Sequence, residues 1–262
     1  MDKFGLKWRI SLYHRYLFYF FTCSNFKDII RYEREGIPFQ SLKIRQSGEI
    51  NFIDAGETLT IFNDIWFHKL YTRYFQSIEP RVVVDIGANI GIFTLFVKKL
   101  WPSCVVHAFE PESANFRILQ QNIRSSQIHN TFAYNRAVAD KNGLQRLFIK
   151  DNPGWHSLLH LAADKEQMTV DVQCVDSGSV ISIAGGYIDF LKVDCEGCEW
   201  LFLTDQDQLL KDHIGHVAVE YHEISDQKLE DLLTLFKQAG FTCQTTYPDK
   251  WQCGMLYAQR HR

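Results

Sequence analysis

The residues best suited to chemistry sit at four places where an apolar run ends. In the first, VVVDIGANIG, Asp85 precedes a turn that holds Gly87, Ala88, Asn89 and Gly91. Glycines there let the backbone approach a ligand closely, and a helix opening at Gly91 aims its free N–H groups at the same point. In the second, Glu110 and Pro111 close the run CVVHAF, where an acidic side chain would accept both hydroxyls of a ribose. The third, YIDFLKVDCEG, brings Lys192, Asp194 and Glu196 within five positions. The fourth, HVAVEYHE, carries Glu220 and His222.

Alternate residues of a strand share a face, so Lys192 pairs with Asp194, and Glu196 joins them if the chain stays extended. Glu220 and His222 share a face for the same reason. Buried charges are costly without partners, so such a cluster is either a structural ion pair or a working site. As a working site, Lys192, Asp194, Glu196 and Glu220 face a cofactor or an acceptor. The carboxylates would admit a divalent ion as a third participant, although no ligand set is assigned to one. His222, with an ordinary pKa of about 6.5, is the candidate general base.

A dinucleotide turn would read G-x-G-x-x-G and lay backbone amides along a pyrophosphate. DIGANIG lacks the G-x-G pair, and its Asp85 would repel a pyrophosphate. A carboxylate there suits a cofactor that carries ammonium and sulfonium charges. Two other classes are weighed against this one, a nicotinamide-dependent oxidoreductase and a non-catalytic module of the same fold.

The elements that must position these groups alternate between strand and helix. Strands are expected at Arg81–Asp85, CVVHAFE, Phe132–Val138, LQRLFIK, TVDVQCV, YIDFLKVD and HVAVEY, with helices over IFTLFVKKL and PESANFRILQQNIRSS. A further helix, SDQKLEDLLTLFKQAG, has Ser225 as its expected N-cap, and FTCQTTY with CGMLYAQ forms a closing hairpin. This alternation implies a doubly wound α/β sheet, with ligands beyond the carboxyl ends of its strands. Residues 1–78 form an aromatic arm and cap, with short strands in SLKIRQ and INFID broken at Ser47-Gly48 and Ala55-Gly56. Residues 79–262 form the sheet domain. Trp66, Tyr71 and Tyr74 are lid candidates that read more simply as core packing. Trp155, His156 and Ser157 are placed over the acceptor.

The bulk composition narrows the partners. A formal net charge of −3 gives no basis for a nucleic-acid partner. Seven irregularly spaced cysteines suit reduced thiols in a cytoplasmic protein, and the lone Cys195-x-x-Cys198 pair suits structural cysteines better than a metal site. The run FGLKWRISLYHRYLFYFF is too interrupted by Lys7, Arg9, His14 and Arg15 to span a membrane. Packing against the main domain or a partner subunit is its expected role, with weak contact to a membrane surface through residues 4–21 as the alternative.

Four segments, VVVDIGANIGIFTLF, HAFEPESANFRILQQNI, NRAVAD and YIDFLKVDCEGCEWLFL, together resemble the FkbM family of methyltransferases. The resemblance runs from about Val82 to His222. It implies a class I methyltransferase fold, Rossmann-like, with a mostly parallel seven-stranded sheet and a C-terminal antiparallel hairpin. It also implies S-adenosylmethionine as cofactor and a hydroxyl acceptor on a sugar, lipid, peptide or other natural product. By the same resemblance Asp85, Gly87, Ala88, Asn89, Gly91, Glu110, Pro111, Asn135, Ala137 and Asp194 would line the cofactor site. Cys195 departs from the small or apolar residue that the family commonly has there.

Overall fold

A computed structural model describes residues 3–75, 77–149, 168–203, 207–224, 227–246, 248 and 252–260. The chain opens with α1 (Lys3–Thr22) and α2 (Phe26–Glu35), then a hairpin of β1 (Ser41–Ile44) and β2 (Gly48–Asn51). Next comes α3 (Ala55–Phe62), extended by a wider π-type turn at Asn63–Phe67. Ala55-Gly56 is therefore the first turn of a helix rather than a break. Asp54 caps it, its carboxylate accepting the Glu57 N–H at 2.7 Å, and the cap outweighs the glycine.

The alternating region follows as β3 (Val82–Ile86), α4 (Ile92–Leu100), β4 (Val105–Phe109), α5 (Ser113–Ser125) and β5 (Thr131–Tyr134). The expected strand over Phe132–Val138 is two strands. After β5 the chain turns away, and β6 (Ala137–Val138) joins a separate small sheet with β7 (Gly143–Ile149) and β8 (Met168–Val175). The chain then forms α6 (Ser177–Ile183), β9 (Ile188–Val193), α7 (Cys198–Leu203), α8 (Asp207–His213) and β10 (Ile214–His222). It ends with α9 (Leu229–Gln238), β11 (Thr242–Thr245) and β12 (Cys253–Gln259). Ser225 lies outside the described residues. α9 begins later than expected because the Asp231 carboxylate accepts the Lys228 N–H at 2.9 Å and closes the first turn there.

The main sheet has seven strands in the order β11-β12-β10-β9-β3-β4-β5. The neighbours from β10 through β5 pair in parallel, and β12 runs against both β10 and β11. This is the class I methyltransferase topology. Connections leave β3 outward to β4 and β5, then return to β9 and β10, so strand order reverses between β3 and β9. A crevice must open at that point, outside the carboxyl ends of the strands.

Strand alternation sends side chains into two cores. Val84, Leu191, Val217 and Val219 meet α7 and α9 residues such as Trp200 and Phe236 on one face. Val83, Phe190, Ala218 and Tyr257 meet α4 and the N-terminal segment on the other. There Tyr19, Ile29, Phe62, Trp66, Tyr71 and Phe75 pack with Phe93 and Phe96, so the aromatic arm covers a sheet face. Asn122 of α5 ties the hairpin to this core. It accepts from the Asn51 N–H at 2.7 Å and donates to the Asn51 and Ile90 carbonyls at 3.0 and 2.8 Å. Along α1, Tyr19 is buried while Tyr13, Phe20 and Phe21 are exposed, and Cys23 just after the helix is buried too. Among the described residues, no helix is long and apolar enough to cross a membrane.

Candidate active site

A cavity of about 580 Å³ occupies the predicted crevice. Gly87, Ala88, Asn89, Glu110, Pro111, Ala137 and Val138 line it. So do Tyr71, Asp194, Glu196 and Glu220, together with Glu57, Asp64 and Leu70.

The glycine turn is built by its surroundings. Gly87 has φ +74°, and a Cβ there would overlap the Asp194 carbonyl. Asn89 also adopts a left-handed conformation, at φ +50°, which its short polar side chain tolerates by accepting from the Ile90 N–H at 2.6 Å. The Glu110 carboxylate accepts from the Asn89 N–H at 2.8 Å and the Glu112 N–H at 2.9 Å, fixing the turn to the end of β4. Burial pushes its carboxyl up to about 7, with those two N–H bonds pulling the other way. Asn135 donates to the Glu110 and Pro111 carbonyls at 2.9 Å each, so it braces this wall from behind. Neither it nor Gly91 is among the residues that line the cavity.

Asp85 requires a correction. Its side chain is fully buried and does not line the cavity. Parallel register sets it beside Lys192 on β9, whose Nζ lies 3.2 Å from Asp85 Oδ1, while the Thr94 hydroxyl donates to Oδ2 at 2.6 Å. The strand-end carboxylate therefore points into the sheet, and its charge is spent on Lys192. That ammonium also donates to the Gly87 carbonyl at 2.7 Å and the Ile86 carbonyl at 3.2 Å, and lies 3.5 Å from Asp194. Burial opposes the charge on Lys192, but Asp85 and then Asp194 outweigh it and raise its pKa above the ordinary value. One buried cation thus fixes Asp85, the glycine turn and Asp194 together.

Tyr71 connects the N-terminal segment to this cluster. Its hydroxyl lies 2.7 Å from Asp194 Oδ2 and 2.8 Å from Glu220 Oε2. A hydroxyl has one proton to give, so the second contact needs a carboxyl proton. Glu220 can supply it, because burial and then Asp194 push its carboxyl up to about 7. Tyr71, read from the sequence as core packing, is buried yet makes polar contacts with two strand ends.

His222 does not line the cavity. Nδ1 lies 3.0 Å from Glu199 Oε1, and Nε2 lies 3.4 Å from Glu196 Oε2. With a carboxylate at each ring nitrogen, the imidazole is engaged on both sides and is not placed to take an acceptor's proton. Burial works against its cation, but Cys253, Glu199 and Glu196 outweigh it and raise its pKa to about 12. Glu196 does reach the cavity, at φ +54°, and burial pushes its carboxyl up to about 8 against the pull of His222.

The Cys195-Glu196-Gly197-Cys198 turn holds another departure from expectation. Cys195 and Cys198 form a disulfide, with Cα atoms 5.3 Å apart, whereas reduced thiols were expected. The left-handed pair Glu196 and Gly197 (φ +54° and +104°) folds the chain back far enough to join them. Cys23, Cys104, Cys174, Cys243 and Cys253 take part in no disulfide among the described residues. Trp155, His156 and Ser157 lie outside the described residues. Glu57 and Asp64 carried no signal in the sequence, because only α3 and its π-turn bring them to the cavity.

The chain is 27% identical over 233 residues to 31-O-demethyl-FK506 methyltransferase of Streptomyces tacrolimicus, covering 78% of this chain and 89% of that protein. It is also 27% identical over 192 residues to Methyltransferase 1 of Beauveria bassiana, covering 65% and 76%. Among solved structures, magnesium protoporphyrin IX methyltransferase of Synechocystis PCC 6803, with bound S-adenosylmethionine, aligns at a TM-score of 0.46 and 10% identity. That alignment covers 83% of this chain and 88% of that one. The model of the methyltransferase FkbM domain matches residues 85–243, more than half of the chain. The protein belongs to the FkbM family of methyltransferases.

Proposed function

We propose that the protein transfers a methyl group from S-adenosylmethionine to a hydroxyl oxygen of an organic acceptor. One observation carries this reading: a single cavity joins the glycine turn and Glu110 to a carboxyl-rich wall formed by Asp194, Glu196 and Glu220. The residues fit the cofactor. Glu110 offers acceptor oxygens to ribose hydroxyls, and the carboxyl wall suits a ligand with a sulfonium and an ammonium. When bound, that cofactor offers a methyl carbon to in-line attack, so alignment supplies much of the acceleration. The Streptomyces relative is named for an acceptor that lacks an O-methyl group, which supports oxygen as the receiving atom.

In this reading Tyr71 and Asp194 hold the acceptor hydroxyl in line, and the Lys192 ammonium keeps Asp194 in place. The Asp194 carboxylate takes the proton that the hydroxyl loses as its oxygen bonds the methyl carbon and the sulfonium leaves as a neutral thioether. Glu57 and Asp64, which also line the cavity, contact the body of the acceptor in the same reading. The direct test is calorimetric titration with S-adenosylmethionine, S-adenosylhomocysteine and NAD. The first two should bind and NAD should not, and binding of NAD alone would overturn the reading.

Two further outcomes are expected. Tyr71→Phe should lower methyl transfer by about 10²-fold, because loss of the hydroxyl lets Asp194 and Glu220 drift from their geometry. Cofactor affinity should change little, and an unchanged rate in a methyl-release assay would remove Tyr71 from the site. Glu110 titrates near 7, so S-adenosylmethionine should bind best above that pH, where the carboxylate accepts both hydroxyls. Affinity should fall roughly tenfold as pH drops from 7.5 to 6, the worth of a charge-assisted hydrogen bond. In Glu110→Gln the affinity should be lower and flat with pH, and an identical slope in the variant would count against Glu110.

A further inference from the structure

We infer that Glu220, His222 and Cys253 form a binding site for a zinc-like divalent ion in the wall behind the cavity. Their ligand atoms all lie within 4.8 Å of one another. The topology brings them together. Glu220 and His222 are alternate residues of β10 and share a face, and antiparallel register sets Cys253 of β12 directly opposite His222. Cys253 Sγ lies 3.2 Å from Glu220 Oε1, and Cys253 is also hydrogen-bonded with His222. A tetrahedral zinc with bonds of about 2.0–2.3 Å spaces its donors roughly 3.5 Å apart, so small adjustments would close the shell.

The donor chemistry selects the metal. One thiolate, one imidazole and one carboxylate are a borderline-soft set, suited to zinc and poorly suited to magnesium or calcium, which demand oxygen. The surroundings are those of a ligating histidine. Glu199 is fully buried and holds His222 by two bonds, to its backbone N–H at 2.7 Å and to Nδ1 at 3.0 Å. Glu199 is itself fixed by the Gly197 N–H at 2.8 Å. A carboxylate on Nδ1 sets the tautomer and ring angle that present Nε2 to a metal. Nε2 faces Glu196 Oε2 at 3.4 Å, and a metal would replace that contact. Glu220 remains anchored through Oε2 to Tyr71, which leaves Oε1 as its ligand atom.

A divalent charge here would stand in for the imidazolium charge that His222 gives up as a neutral ligand, beside the carboxyl groups of Glu196 and Glu199. Three protein ligands leave a fourth position open, and Glu220 lines the cavity. The site does not depend on the methyl-donor reading, so titration with S-adenosylmethionine on the same sample separates failure of one from failure of the other.

The test uses the full chain, stripped with a chelator and dialysed, then titrated with zinc chloride and with magnesium chloride. One zinc per chain should bind, with magnesium at least about 100-fold weaker. Cobalt should give a thiolate-to-metal absorption band. Cys253→Ser should abolish that band and weaken zinc by roughly 100-fold, and Glu199→Gln should weaken it by about 10- to 100-fold. The double variant Cys195→Ser/Cys198→Ser should bind as wild type. Circular dichroism should show each variant folded as wild type, so that a loss of binding reads on the site. Absence of zinc binding, loss of the band in the Cys195/Cys198 variant alone, or equal affinity for magnesium would overturn the assignment.

Discussion

Lys192→Met is expected to cost the protein about 3–5 kcal/mol of folding stability and to remove cofactor binding with it. The ammonium is almost wholly buried, and it neutralises Asp85, whose side chain has no exposure at all. A methionine fills the same space but leaves that carboxylate charged inside the sheet, with the Thr94 hydroxyl still donating to it. The Ile86 and Gly87 carbonyls lose their donor in the same stroke, so the glycine turn loosens where the cofactor should sit. Urea unfolding of the variant measures the loss. Lys192→Met/Asp85→Asn should recover part of it, because removing both charges leaves no buried ion alone. If the single variant costs under about 1 kcal/mol, the pair does not carry the turn.

Gly87→Ala should weaken S-adenosylmethionine by at least about 10²-fold while leaving most of the fold intact. Two effects combine at this residue. Its φ of +74° is a left-handed conformation that costs an L-residue about 1–2 kcal/mol. Its Cβ would also overlap the backbone carbonyl of Asp194, which cannot rotate aside as a flexible side chain could. The turn or the end of β9 must shift, and either movement displaces a wall of the cavity. Gly240→Ala is the matching control. Its φ is +83°, but nothing lies within 4 Å of an added Cβ, so it should show the backbone penalty alone. Calorimetry on both variants separates the two effects. Affinity for Gly87→Ala within threefold of wild type would refute the close approach.

The sheet was legible because its signals are local. Apolar runs such as YIDFLKVD end in charge, helices such as IFTLFVKKL show their spacing, and the positions of the strand ends follow from both. The direction in which a strand-end side chain points is not local. Asp85 stands one residue before the end of β3, and only its pairing with Lys192 turns it inward. His222 looked like a free base because nothing nearby in the sequence shows that Glu199 and Glu196 claim its two nitrogens. Tyr71 was hidden for a related reason. An aromatic residue ahead of the first sheet strand reads as packing until the fold carries its hydroxyl to Asp194 and Glu220. The disulfide depended on two consecutive left-handed residues, and the non-glycine one, Glu196, gives no warning of that conformation.

The lining of the cavity comes from two different stretches of chain. Glu57, Thr60, Ile61, Asp64 and Leu70 belong to α3 and the turns after it, whereas the glycine turn, Glu110 and Asp194 belong to the sheet. In the reading proposed above, one stretch meets the acceptor and the other meets the cofactor, and Tyr71 is the hinge between them. The design is modular in an evolutionary sense. On that reading, drift within residues 55–70 would change the acceptor while the sheet keeps its donor, provided Tyr71 still reaches Asp194. Exchanging that short segment between relatives should therefore move acceptor preference as a unit.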